Sequence, residues 1–233
     1  MNNGKPEIIM SLFLLFAVAV ASFVVLPKDC ATQNAVAKNI CIAIDAGHGG
    51  WDSGKVGSTG VKEKDLNLTV SFKIKELLES KGFEVVMVRD TDRALSNTKA
   101  KDMRERCALI EKSKAALTLS IHMNSFSSGS AKGAQVFYYS HSAEGKKVAQ
   151  IVQDELKNFD KSNKRSCKAN NEYYMLVHTA TPTIVVECGF LSNPEEEKKL
   201  SSDEYRQKIS EVIASAIEKY FCTDRQAENG NNY

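Results

Sequence analysis

The feature that most restricts the fold is an alternation, from Cys41 onward, of short apolar runs with longer amphipathic ones. Ile42-Ala43-Ile44 leads into Asp45 and the glycine-rich run Gly47-His48-Gly49-Gly50. Such a run is too short for a helix and is bounded by glycine, so it predicts a buried strand followed by a sharp loop. Over residues 64–80, Leu66, Val70, Ile74, Leu77 and Leu78 recur at helical spacing, and Gly82 follows where a helix stops. Residues 83–88 predict a second strand. Residues 101–114 predict a helix with Met103, Cys107 and Ile110 on one side. Strands follow over 116–121 and 134–139, then a helix over 144–159 carrying Val148, Ile151, Val152, Leu156 and Phe159. The apolar runs 173–177 and 183–186 predict two more strands, and 203–221 a closing helix. Strands alternating with helices argue for an α/β fold, a single domain over 41–221 with a mostly parallel sheet flanked by helices. Residues 28–40 form a short polar linker, and the polar tail 222–233 is expected to be disordered.

Open α/β sheets hold ligands at the C-terminal ends of their strands. Polar residues stand at those ends: His48 after the first strand, His122 after the third, Glu187 after the last. If these strands are parallel neighbours, all three emerge on one edge, and Glu63, just before the first helix, can reach back to it. Two histidines, a carboxylate and an open position make a catalytic zinc site. A second carboxylate that does not bind the metal can move protons. Each residue alone has a plainer reading. Glu63 suits a helix N-terminus, and His48 or His122 could simply end a strand. A charge directly after Ile184-Val185-Val186 must be paired or functional. Asp45 could orient His48 from behind or bond to the glycine loop. His141 and His178 read as surface histidines, the latter near the site mouth.

With 31 basic and 29 acidic residues, the net charge of +2 gives no reason to expect nucleic acid as partner. Six cysteines without a CxxC pair argue against a cysteine zinc site and read as free thiols. Residues 8–26 are a charge-free apolar run, long enough to cross a bilayer. Residues 1–27 are therefore a signal-anchor, or alternatively a cleaved signal peptide. Both place the remainder outside the cytoplasm, membrane-anchored or secreted.

The ordered segments resemble the zinc-dependent N-acetylmuramoyl-L-alanine amidases of type 3. The resemblance is carried by Ile44-Asp45-Ala46-Gly47-His48-Gly49-Gly50, Glu63-Lys64-Asp65-Leu66-Asn67-Leu68, Arg89-Asp90-Thr91-Asp92, Ser120-Ile121-His122-Met123-Asn124-Ser125 and Pro182-Thr183-Ile184-Val185-Val186-Glu187-Cys188-Gly189-Phe190-Leu191-Ser192-Asn193. Several motifs in order are far more specific than one GHGG. The resemblance implies one Zn²⁺ held by His48, Glu63 and His122, with Glu187 as general base and acid. It implies peptidoglycan as substrate, cut between the lactyl group of N-acetylmuramic acid and the L-alanine of the stem peptide. Asn124 is expected to contact substrate, and Arg89 with Asp92 to form a structural ion pair beneath the site.

No cell-wall-binding repeats flank the domain, and the connections around residues 144–159 are too short for an inserted regulatory helix. This layout resembles the sporulation- and germination-specific, CwlD-like branch, which implies a role in forming muramic-δ-lactam in spore cortex, in the space around a developing spore. Targeting is then expected from the apolar segment or from a protein partner, which could also activate the enzyme by stabilising a site with three protein ligands. Two rival readings are a zinc peptidase or amidase acting on another exported peptide, and a non-catalytic peptidoglycan-binding module. The presence of all four site residues weighs against the second.

Overall fold

The computed structural model describes Ala37 and residues 39–230. Its centre is a six-stranded sheet: β1 (Cys41–Ala46), β2 (Glu84–Met87), β3 (Leu117–Asn124), β4 (Gln135–Tyr138), β5 (Lys168–Ala169) and β6 (Thr183–Phe190), in the order β2-β1-β3-β6-β4-β5. Four of the five pairings are parallel, and β4 runs antiparallel to β6. The sheet is therefore mixed, parallel through β2-β1-β3-β6, which is the part that carries the expected site residues.

Among the described residues, six helices flank it: α1 (Glu63–Ser80), α2 (Lys99–Ser113), α3 (Ala143–Phe159), α4 (Tyr174–His178), α5 (Pro194–Ser201) and α6 (Asp203–Gly230). Alternating residues along a strand point to opposite faces, and the core divides accordingly. Ile42, Ile44, Leu119, Ile121, Ile184 and Val186 pack against Val70 and Ile74 of α1, Val152 of α3 and Ile213 of α6. Ala43 points the other way, to Cys107 and Ile110 of α2 and Met175 of α4. Val185 shares that second face with Leu176.

Three expectations are corrected. Residues 173–177, expected as a strand, enter a short helix, because an apolar run of five has no period of its own. The helix α5 and the two-residue β5 were not anticipated. The last helix continues to Gly230, past Phe221 and through most of the tail expected to be disordered. The apolar run 8–26 and most of the linker lie outside the described residues. Among the described residues, no helix is long and apolar enough to cross a membrane. Cys41, Cys107, Cys167 and Cys188 are free thiols.

Candidate active site

Strand parity and register build the site. Asp45 continues the face of Ala43, and Ser120, Asp45's register partner, continues that face on β3. Two residues further on comes His122, whose register partner on β6 is Glu187. Asp45, Ser120, His122 and Glu187 therefore emerge together on the α2/α4 side, at the C-terminal edge. There they line a cavity of about 460 Å³.

The loop after β1 turns abruptly. His48 adopts φ 61°, in the left-handed region, followed by Gly49 at 133° and Gly50 at 57°. Gly47 has no side chain for a steric reason: a Cβ there would lie 2.2 Å from Cε1 of the His122 ring. His48 and His122 meet edge to face with centroids 5.0 Å apart.

Glu63, the first residue of α1, completes the cluster. Its Oε1 lies 3.2 Å from His48 Nε2 and 3.0 Å from His122 Nδ1, and accepts the Met123 N–H at 3.2 Å. Its Oε2 accepts the Lys55 N–H at 2.8 Å. Burial pushes the Glu63 carboxyl up, but hydrogen bonds from both histidines outweigh it and hold the group well below the usual carboxylate range. Burial pulls the His122 imidazole down, and its hydrogen bond and charge interaction with Glu63 override that and raise it. One ligand atom from each of His48, Glu63 and His122 lies within 4.8 Å of the others. Two atoms bonded at about 2.0–2.2 Å to one tetrahedral zinc stand roughly 3.4 Å apart, the scale of the 3.0 and 3.2 Å separations. Two imidazoles and a carboxylate fit a zinc ion in both chemistry and spacing.

Glu187 stands apart from that cluster. It is 6% exposed, and its Oε2 has no hydrogen-bond partner among the described residues. Burial raises its carboxyl to about 7, with the charges of His122 and His48 and the Tyr173 hydroxyl pulling against it. A buried carboxyl poised near neutrality with an open oxygen suits proton transfer.

Behind these residues is a second layer of charged side chains that orients them. Asp52 Oδ2 lies 2.9 Å from His48 Nδ1, which leaves Nε2 facing Glu63. Asp45 does not touch His48 directly. Its Oδ1 accepts from Arg106 Nη1 at 2.6 Å and its Oδ2 from Ser120 Oγ at 2.8 Å, while Arg106 Nη2 donates to the His48 carbonyl at 2.5 Å. Arg106 also binds Asp102, one helical turn earlier, at 2.6 Å. The Asp-x-x-x-Arg spacing on a predicted helix was the available signal for that pair.

The expected Arg89–Asp92 pair is not formed. Arg89, fully buried, donates to the carbonyls of Ala46, Gly47, Lys64 and Thr91. Asp92 instead accepts from Lys64 Nζ at 2.6 Å and from the Gly50 N–H at 2.8 Å. Asn124 lines the cavity at the end of β3, with its Oδ1 accepting the Ser125 N–H. His178 stacks on Tyr174 at 4.0 Å and does not line the cavity, and His141 packs against Tyr139.

Comparison with known proteins decides the family. The sequence profile of the N-acetylmuramoyl-L-alanine amidases matches residues 42–219. The chain belongs to that family. The amidase is 39% identical to the germination-specific N-acetylmuramoyl-L-alanine amidase of Bacillus subtilis over 188 residues, covering 77% of this chain and 79% of the relative. Among solved structures it is similar to the CwlD amidase of Clostridioides difficile in complex with the GerS lipoprotein. That likeness has a TM-score of 0.75 and 36% identity, covering 79% of this chain and all of the other. It is also similar to the amidase AmiC2 of Nostoc punctiforme, with a TM-score of 0.70 and 31% identity over 78% of this chain and 96% of that one.

Proposed function

We propose that this amidase is zinc-dependent, with the metal held by His48, Glu63 and His122, and that Glu187 carries the protons of the reaction. The observation that supports this most is the convergence of three ligand atoms within 4.8 Å beside a buried carboxylate with an open oxygen. Zinc bound there would act as a Lewis acid and acidify water at the site. Asp52 keeps His48 in the orientation that presents Nε2, and the Met123 and Lys55 N–H groups fix Glu63. Glu187 takes a proton from the water that attacks the lactyl carbonyl carbon, and returns it to the alanine nitrogen as the C–N bond breaks. The products are the lactyl carboxylate and a stem peptide with a free L-alanine amine. Asn124 contacts the substrate in this reading, supported by its position lining the cavity at the end of β3.

The likeness to a germination-specific amidase and to CwlD supports a role in spore cortex, where freeing muramic acid of its peptide precedes muramic-δ-lactam formation. The solved CwlD complex with a lipoprotein supports a protein partner for this chain too, for activation or targeting. The apolar run 8–26 would hold the domain at the outer face of the membrane.

The test is digestion of purified peptidoglycan, read by mass spectrometry, with and without a chelator. Stem peptides beginning at L-alanine, lost on chelation and restored by zinc, are expected. Zinc-loaded protein that leaves stems intact while cutting another exported peptide would replace the proposed substrate.

A further inference from the structure

The cavity has a chemical polarity that the hydrolysis itself does not use. Its acidic lining residues are mostly committed: Asp45 and Asp102 to Arg106, Asp52 to His48 and the Gly54 N–H, Glu63 to the cluster. Arg106, in turn, spends its donors on Asp45, Asp102 and backbone carbonyls. Lys99 is different. It lines the same cavity, its side chain is 70% exposed, and among the described residues its ion-pair contact is a long one, 3.9 Å from Nζ to Asp52 Oδ2.

Its position costs the fold something. Lys99 is the first residue of α2, where the helix dipole disfavours a cation, and Thr98 makes no side-chain cap there. The open N–H groups of that first turn and the ammonium add positive potential at one wall of an otherwise acidic cavity. The ammonium lies 3.9 Å from the same Asp52 oxygen that holds His48, so one carboxylate oxygen stands between it and the imidazole. That is the span of one to two extended residues at about 3.4 Å each. Met103, Tyr173, Tyr174 and Met175 line the same cavity.

The two halves of the substrate differ in charge around the scissile bond. The sugar side is neutral, whereas the stem peptide carries carboxylates after its first residue. We infer that Lys99 is a specificity residue that binds the first free carboxylate of the stem peptide, so that the peptide lies along the α2/α4 wall and the glycan lies outside it. This rests on the amidase reading above and adds which half of the substrate the cavity takes.

The test compares two muropeptides cut by the full-length protein: one whose second stem residue has a free α-carboxylate, and its α-amide. One charge-assisted hydrogen bond, discounted for exposure, predicts a kcat/KM preference for the carboxylate of about three- to tenfold, carried in KM. In Lys99→Met, which keeps most of the alkyl chain, the ratio should fall to about one, and in Lys99→Glu it should invert. Equal cleavage of both substrates by the wild type, or an unaltered ratio in Lys99→Met, would overturn the inference. So would an equal loss of kcat on both substrates, which would make Lys99 a support for Asp52 and His48. A zinc-loaded wild type that cuts neither muropeptide with the proposed protein partner supplied removes the zinc amidase reading and this inference with it.

Discussion

Glu187 and His122 face each other across one register pair, yet their surroundings push them to opposite tasks. Glu187 has burial and an open oxygen, and its replacement should leave the His48–Glu63–His122 cluster intact because it is not one of the converging ligand groups. Glu187→Gln, which keeps the shape, is expected to lower turnover by about 10²–10⁴ while zinc content stays at one per chain. Activity and metal analysis on the same sample check this, and a variant with near-normal turnover would remove Glu187 from the reaction. His122 must be neutral to bind a metal, but its contact with Glu63 favours the protonated ring in the empty site. The sign follows: zinc displaces a proton, so affinity should keep rising with pH above about 6.5, where an ordinary histidine would level off. Zinc competition titrations from pH 6 to 9 read this directly, and a plateau beginning near pH 6.5 would count against it.

At the scale of elements, two turns hold the cluster in place. Gly47 directly follows β1, and the His122 ring occupies the space where a Cβ would be. Gly47→Ala is therefore expected to weaken zinc binding at least tenfold while the metal-free domain still folds. Circular dichroism and zinc titration separate these effects, and unchanged affinity would mean that the ring has room to move. The loop before α1 is pinned from α5. Glu197 accepts from Ser58 N and Oγ and from Thr59 N and Oγ1, and these bonds outweigh burial to bring its carboxyl down to about 2. Glu197→Gln leaves at least one of those donors without an acceptor, at about 1–3 kcal/mol. Amide exchange over residues 55–60 should quicken in that variant, and exchange at the wild-type rate would show the pin to be dispensable.

The four central residues, His48, Glu63, His122 and Glu187, were legible because each follows or precedes an apolar run whose type was clear. The supporting layer was less so. Asn193 and Pro194 followed by three glutamates are an N-cap and N1 signal for α5, which the β6 apolar run overshadowed. Arg89 and Asp92 look like partners by spacing, but only the folded loop shows that Arg89 gathers carbonyls and Lys64 takes Asp92. Tyr173 reached the cavity because residues 173–177 turn into a helix instead of extending.

Across the whole molecule, one ionic network joins β1, β3, α2 and the His48 loop: Ser120, Asp45, Arg106 and Asp102. Arg106 and Asp45 are 1% and 2% exposed. Breaking such a pair from one side leaves a buried charge uncompensated, at about 3–5 kcal/mol. Arg106→Met should therefore lower the melting temperature by roughly 10 °C, given about 2–4 °C per kcal/mol for a domain of this size. Adding Asp45→Asn removes the more buried of the two stranded charges, Asp45 and Asp102, and should recover part of that loss, which a purely steric role for Arg106 would not allow. The pair also sets the acid limit. Burial pushes the Asp45 carboxyl up, but Arg106 and Ser120 hold it below its ordinary value. A depressed carboxyl contributes stability above its unfolded pKa, near about 3.9, and loses it as pH falls through the folded one. Wild-type melting temperatures should accordingly drop steeply below about pH 4, and the Asp45→Asn, Arg106→Met double variant should drop less over the same window. Parallel curves for the two proteins would place the acid sensitivity elsewhere, with Glu197 the next carboxylate to test.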